Sequence, residues 1–135
     1  MRVVFDTNIV VSAMLSPSGT AADVLRLALH RYVQFCASEV ILQKYEEVLR
    51  RPKFRRQPEV VSGLLKAIRV VAELVEPTAT LAVSSDAVDN RFLECAAAAK
   101  ADYVVTGNTR RFPAVRGRTR VATARELIEL VTPKA

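Results

Sequence analysis

One stretch constrains this chain more than any other: Val3-Val4-Phe5-Asp6-Thr7-Asn8. A short run that is apolar and β-prone at every position reads as a strand buried on both faces. That is the habit of a parallel sheet covered by helices. Asp6 stands where the strand stops. In open α/β sheets ligands bind beyond the carboxyl ends of the strands, so an acid there is placed for chemistry or metal binding. An aspartate in front of a helix is also a common N-cap, and Asp6 alone does not separate the two readings. A second acidic cluster at the opening of a later helix, Asp86-Ala87-Val88-Asp89-Asn90, favours the first.

The rest of the chain alternates strands and helices. After the first strand, Arg2–Phe5, comes a loop with Ser16-Pro17-Ser18-Gly19. The spacing of Val24, Leu25, Ala28 and Leu29 predicts a helix over 20–31. A short strand is expected over 33–36, then a helix over 39–50 with Ser38 as its N-cap. Pro58 opens a further helix, and residues 70–75 either end it or form a short edge strand before Pro77. An alanine-rich helix over 92–100 starts at Asp89 or a near neighbour. Strands near 102–105 and 120–122 and a last helix over 124–130 complete the pattern. Without repeats or linkers, the expectation is a single domain over residues 1–135. Its α/β architecture is expected to hold a mostly parallel sheet with helices on both faces.

Composition narrows the function. Half the residues are hydrophobic and a quarter charged, which suits a globular chain. There is no secretory signal and no long uncharged apolar stretch, so a cytoplasmic protein without a membrane span is expected. Cys36 and Cys95 lack zinc spacing and read as buried, reduced thiols. His30 is the one histidine and sits at a helix end, which argues against Ser-His-Asp or Cys-His catalysis. The net charge of +6 points to a polyanionic partner, nucleic acid first. The cations cluster as Arg50, Arg51, Lys53, Arg55 and Arg56 in one stretch, and around Arg110, Arg111, Arg116, Arg118 and Arg120 in another. The first group, with Arg110 and Arg111, is expected to contact RNA phosphates.

Polar groups from several elements would meet at one sheet edge. Asp6 follows the first strand, Thr106-Gly107-Asn108 follows a later one, Asp86 and Asp89 start a helix, and Glu46 and Glu47 lie on another. Converging carboxylates repel unless a cation sits among them, and hard oxygen donors suit Mg2+ or Mn2+. Such ions activate water and stabilise a phosphorane, as in metal-dependent nucleases.

These segments together resemble the PIN-domain family, and within it the VapC-like toxins of toxin–antitoxin pairs. The resemblance rests on Val4-Phe5-Asp6-Thr7-Asn8, on Tyr45-Glu46-Glu47-Val48-Leu49-Arg50-Arg51-Pro52-Lys53-Phe54, on Asp89-Asn90-Arg91-Phe92-Leu93-Glu94-Cys95-Ala96, and on Ala101-Asp102-Tyr103-Val104-Val105-Thr106-Gly107-Asn108. It implies a three-layer α/β/α sandwich, a Mg2+- or Mn2+-dependent endoribonuclease, a cognate antitoxin protein and a homodimer. Asp6 and Asp89 match two of the family's acids and would bind the metal, with Thr7, Asn8, Asp86 and Thr106 in support. Two positions depart from the pattern: Lys44 stands where the family has its second acid, and Asn108 where it often has its fourth. Asn108 retains a carbonyl oxygen for catalysis. Glu47 lies three residues beyond Lys44 and is the candidate substitute. Lys44 itself is expected to project toward the carboxylates. The competing expectation is a catalytically weak or inactive PIN-like module that binds nucleic acid or a partner.

Overall fold

A computed structural model describes residues 1–78, 80, 87–112 and 115–132, the side chains of 87, 88, 115 and 116 excepted. Asp86 therefore lies outside the described residues. The strands are β1 (Arg2–Phe5), β2 (Gln34–Ala37), β3 (Glu73–Leu74), β4 (Tyr103–Val105), β5 (Val115–Arg116) and β6 (Thr119–Ala122). The helices are α1 (Thr7–Leu15), α2 (Thr20–Leu29), α3 (Glu39–Leu49), α4 (Pro58–Val71), α5 (Ala87–Ala99) and α6 (Ala124–Val131).

The strand order is β3-β2-β1-β4-β6-β5, parallel throughout except for the antiparallel β5 at one edge. Val3, Val4 and Phe5 are fully buried, because β1 is the central strand and both of its faces are covered. Helix α5 packs on β1, β2 and β4, while α1, α2 and α6 contact one another in a separate layer. This is the expected three-layer α/β/α sandwich. An aromatic cluster fills the space between layers: Phe5 lies 4.9 Å from Phe35, Phe35 lies 6.2 Å from Tyr45, and Tyr45 lies 6.5 Å from Phe92, centroid to centroid.

Three details differ from or sharpen the sequence reading. No element is predicted between Phe5 and Ser16, yet α1 forms there. Its buried residues include Thr7, Ile9, Val10 and Met14, so no clean polar face exists to produce a helical periodicity. Residues 70–75 do both things expected of them: α4 ends at Val71 and β3 begins at Glu73. The two-residue strand β5 has too little sequence to carry a pattern. Ser38 caps α3 as expected, its Oγ accepting from Ile41 N at 3.4 Å.

The order matters for function. From β1 the chain steps outward on one side to β2 and β3, and later returns to place β4 on the other side of β1. The carboxyl ends of β1 and β4 thus flank the point where winding reverses, which is where open α/β sheets form a crevice. Phe5 pairs with Val105 at the last register position, and Asp6 N donates to Val105 O at 2.9 Å. Asp6 and Thr106 are consequently neighbours across the crevice.

Candidate metal centre

Asp6 occupies the N-cap position of α1, but its side chain makes no cap hydrogen bond. The capping reading is therefore set aside for this residue. Its carboxylate turns to β4 instead: Oδ2 accepts from Thr106 Oγ1 at 2.7 Å and from Arg111 Nη1 at 3.1 Å. Asp6 is 1% exposed, and Oδ1 is buried without a hydrogen-bond partner among the described residues. Thr7 Oγ1, next in the chain, is likewise buried and unpartnered among them. Burial pushes the Asp6 carboxyl above the ordinary value, against the opposing pull of the Thr106 hydroxyl and the Arg111 charge.

Asp89 comes from the first turn of α5 and is 2% exposed. Arg111 engages both of its oxygens: Nε donates to Oδ2 at 3.2 Å and Nη2 to Oδ1. One guanidinium therefore spans the two acids, with all three of its donor nitrogens on carboxylate oxygens. Arg111 ends the short 3₁₀ turn Thr109–Arg111. Asn108 builds that turn, its Oδ1 accepting from Arg110 N at 3.2 Å and its N–H donating to Thr106 Oγ1 at 3.1 Å. Asn8 Oδ1 accepts from Gly107 N at 3.1 Å, which ties the end of β1 to the loop after β4.

Of the residues singled out in the sequence, the structure brings together Asp6, Asn8, Asp89, Thr106, Asn108 and Arg111. Glu47 is elsewhere: it is exposed on α3, with Lys44 Nζ at 3.5 Å and Arg51 Nη2 at 3.4 Å from its Oε1. Lys44 does not supply the cation between the acids, contrary to expectation. It pairs with Glu47 one turn along its own helix and lines a cleft of about 280 Å³ between α3 and α5, with Val40, Ile41, Arg91 and Phe92. Arg111 supplies that charge instead, because its planar fork can face two carboxylates at once.

The expected phosphate contacts are divided. The pairs Glu39–Arg69 (2.6 Å) and Arg50–Ser62 (3.0 Å) hold α3 and α4 as an antiparallel hairpin. Its tip carries the 3₁₀ turn Pro52–Phe54 and the exposed Arg55 and Arg56. Arg50 and Arg51 are held by Glu46 and Glu47. Lys53 lies over the Phe54 ring at 5.2 Å.

Sequence reasoning passed over two buried polar side chains. Tyr45, fully buried, donates its hydroxyl to the carbonyl oxygen of Phe5, the residue before Asp6. Glu94 is 7% exposed and paired to Arg91 at 2.7 Å. A carboxylate among Phe92, Leu93, Cys95 and Ala96 was the available signal for Glu94. Tyr45 offered only an aromatic residue on an apolar helix face.

The donor set fits a divalent cation. Asp6 and Asp89 present hard carboxylate oxygens to one guanidinium, and Asp6 Oδ1 is a buried acceptor without a partner among the described residues. The set is sparse, since among the described residues no group of three or more His, Cys, Asp or Glu converges.

Comparison with known proteins bears on the family and the fold. A family model described as the PIN domain matches residues 2–110. An uncharacterized protein of Methanocaldococcus jannaschii, MJ1680, is 28% identical over 111 residues, covering 80% of this chain and 71% of that protein. A chain of the Rickettsia felis VapBC2 complex, solved bound to a DNA fragment from their promoter, superposes with a TM-score of 0.62. It is 17% identical, covering 91% of this chain and 98% of that one. At that identity the likeness speaks to the fold.

Proposed function

This chain belongs to the PIN domain family, and from that premise we propose that it is a Mg2+- or Mn2+-dependent endoribonuclease, the toxin of a toxin–antitoxin pair. What carries the reading is the convergence of Asp6 and Asp89 on one cationic position at the crevice between β1 and β4. PIN domains are generally nucleases. A solved structural neighbour is part of a VapBC complex, and this supports a cognate antitoxin as partner.

In this reading Asp6 and Asp89 would hold the metal, with Asn108 as the weaker candidate for a further oxygen donor; Glu47, paired to Lys44 and Arg51, is not one. The bound ion supplies Lewis acidity at phosphorus and lowers the pKa of its water. The chain's own residues do the rest. Thr106 fixes the Asp6 carboxylate through its hydroxyl. Asn8 and Asn108 hold the loop after β4 in register with the end of β1. Arg55, Arg56 and Arg110 are exposed and stand ready for phosphates. Among the described residues no helix is long and apolar enough to cross a membrane; we place this RNA-degrading chain in the cytoplasm as one domain. The exposed Leu74 on edge strand β3 offers apolar surface to a second copy in a homodimer.

One observation favours a second reading, a PIN-like binding module with little activity: Arg111 already neutralises the two acids. The experiment is cleavage of single-stranded RNA with Mn2+, with and without chelator, by wild type, Asp6→Asn and Asp89→Asn. We expect chelator to abolish cleavage and each substitution to lower it by at least about 100-fold, on the order of 2.7 kcal/mol, with unchanged circular dichroism. Wild-type rates in either variant would transfer the protein to the second reading.

A further inference from the structure

We propose that Arg111 has two stations: in the free protein its guanidinium holds the cation position between Asp6 and Asp89, and it yields that position to a divalent cation by moving to a phosphate of the bound RNA. The proposal rests on the metal-nuclease reading and adds how metal entry is regulated.

The acid oxygens are already occupied. Arg111 Nη1 is 3.1 Å from Asp6 Oδ2, Nε is 3.2 Å from Asp89 Oδ2, and Nη2 meets Asp89 Oδ1. Both Asp89 oxygens and one Asp6 oxygen are thus taken by a single side chain. A divalent ion needs those same oxygens, and a guanidinium left among them would repel it at close range. The two cations exclude each other.

The mounting of Arg111 suits exchange. Its side chain is 31% exposed, whereas Asp6 and Asp89 are 1% and 3% exposed. It hangs from a three-residue 3₁₀ turn at the rim of the crevice, not from a sheet strand or a long helix. Arg110, exposed on the same turn, adds positive charge on the solvent side. A guanidinium leaving the acids therefore starts at the border between a buried anionic pocket and a basic exterior.

Charge balance then supplies the coupling. Counting Asp6, Asp89 and Arg111 alone, the set carries one net negative charge with Arg111 in place. A divalent ion entering alone while Arg111 stays nearby leaves one excess positive charge. If a phosphate arrives as well, Arg111 gains a partner its planar fork matches in two-point geometry, and the group becomes neutral. Metal and phosphate should consequently bind with positive cooperativity, and by linkage each strengthens the other equally.

The test is Mn2+ calorimetry on the full chain with and without a non-cleavable single-stranded phosphorothioate oligonucleotide, in wild type and Arg111→Gln. Alongside it, the Arg111 Nε–H resonance of the wild type is followed during Mg2+ titration. We expect the oligonucleotide to tighten Mn2+ binding to wild type at least tenfold. Arg111→Gln should bind Mn2+ at least tenfold tighter than wild type without oligonucleotide, and should lose the oligonucleotide's gain. The Arg111 resonance should shift with the same midpoint as Mg2+ binding. If Arg111→Gln does not fold, the wild-type cooperativity and the resonance decide alone. Metal binding to wild type that leaves the Arg111 resonance unmoved, or that shows no gain with oligonucleotide, overturns this proposal and spares the metal-nuclease reading. No metal binding by either protein under any condition overturns that reading, and this proposal with it.

Discussion

Both ends of the sheet place one arginine between two acidic residues, and the two arrangements have opposite character. At the amino end, Arg2 reaches Glu73 at 2.6 Å through Nη1 and donates its backbone N–H to Asp102 at 2.8 Å, while Arg118 holds the other Asp102 oxygen. These acids remain in contact with water. The Arg2 hydrogen bond holds the Glu73 carboxyl below its usual value, and the Arg2 backbone N–H with Arg118 does the same for Asp102. At the carboxyl end, Arg111 spans Asp6 and Asp89 in near-complete burial. There Asp6 is pushed up, and one of its oxygens lacks a partner among the described residues. The same chemistry serves stability at one end and holds a costly charge in place at the other. Burial without full satisfaction is the difference, and it marks functional ground.

Substitution should separate the two ends. The largest stability effect is expected from Asp89→Asn, which takes the two-point carboxylate partner from the partly buried guanidinium of Arg111. A loss of about 2 kcal/mol is expected, read as a lower urea midpoint at constant slope. Asp102→Asn should cost less, about 1 kcal/mol, because its partners are exposed and the amide oxygen still accepts from Arg2. It should leave cleavage unchanged. Equal losses would erase the distinction between the two ends.

The smallest and most diagnostic effect concerns acid. A carboxyl whose folded value is lowered contributes stability above its unfolded value and loses it as pH falls through the folded one, so Asp102 and Glu73 favour neutral pH. Asp6 has the opposite sign. Its raised folded value means its contribution is full below the ordinary carboxylate range and is lost as pH rises through the folded value. In chelator, Asp6→Asn should therefore match or exceed wild-type stability at pH 7, by on the order of 1 kcal/mol at most. The gap should close as the solution is acidified to about pH 4. A variant weaker than wild type at neutral pH would mean that the Arg111–Asp6 contact outweighs the burial cost.

Much of the frame was legible because it rests on short-range patterns. β1 announced itself as three apolar residues ending at Asp6, and Ser38 named the start of α3 through its hydroxyl. The approach of Asp6 to Asp89 was also readable, since both stand where elements begin or end. Helix α1 was hidden because it is buried around most of its circumference. Arg111 was hidden for another reason. Read as one more basic residue for phosphate, it is turned inward by the Asn108 cap and the 3₁₀ turn, and no periodicity encodes a contact across 105 positions. Lys44 misled in the opposite direction. The acid that satisfies it, Glu47, was visible three residues away, and a local partner outcompetes a distant one.

The separation along the chain has a consequence in time. Asp6 is made well before Thr106 and Arg111, which hold its carboxylate and come 100 and 105 positions later. β1 gains β2 early, but its other neighbour, β4, is synthesised after β2 and β3. At ribosomal speeds of about 5–20 residues per second, the crevice stays open-sided for several seconds. A growing chain therefore cannot present the assembled centre. For a protein read as one that degrades RNA, its own message and the ribosome making it are spared until β4, Arg111 and β6 have emerged and closed the sheet.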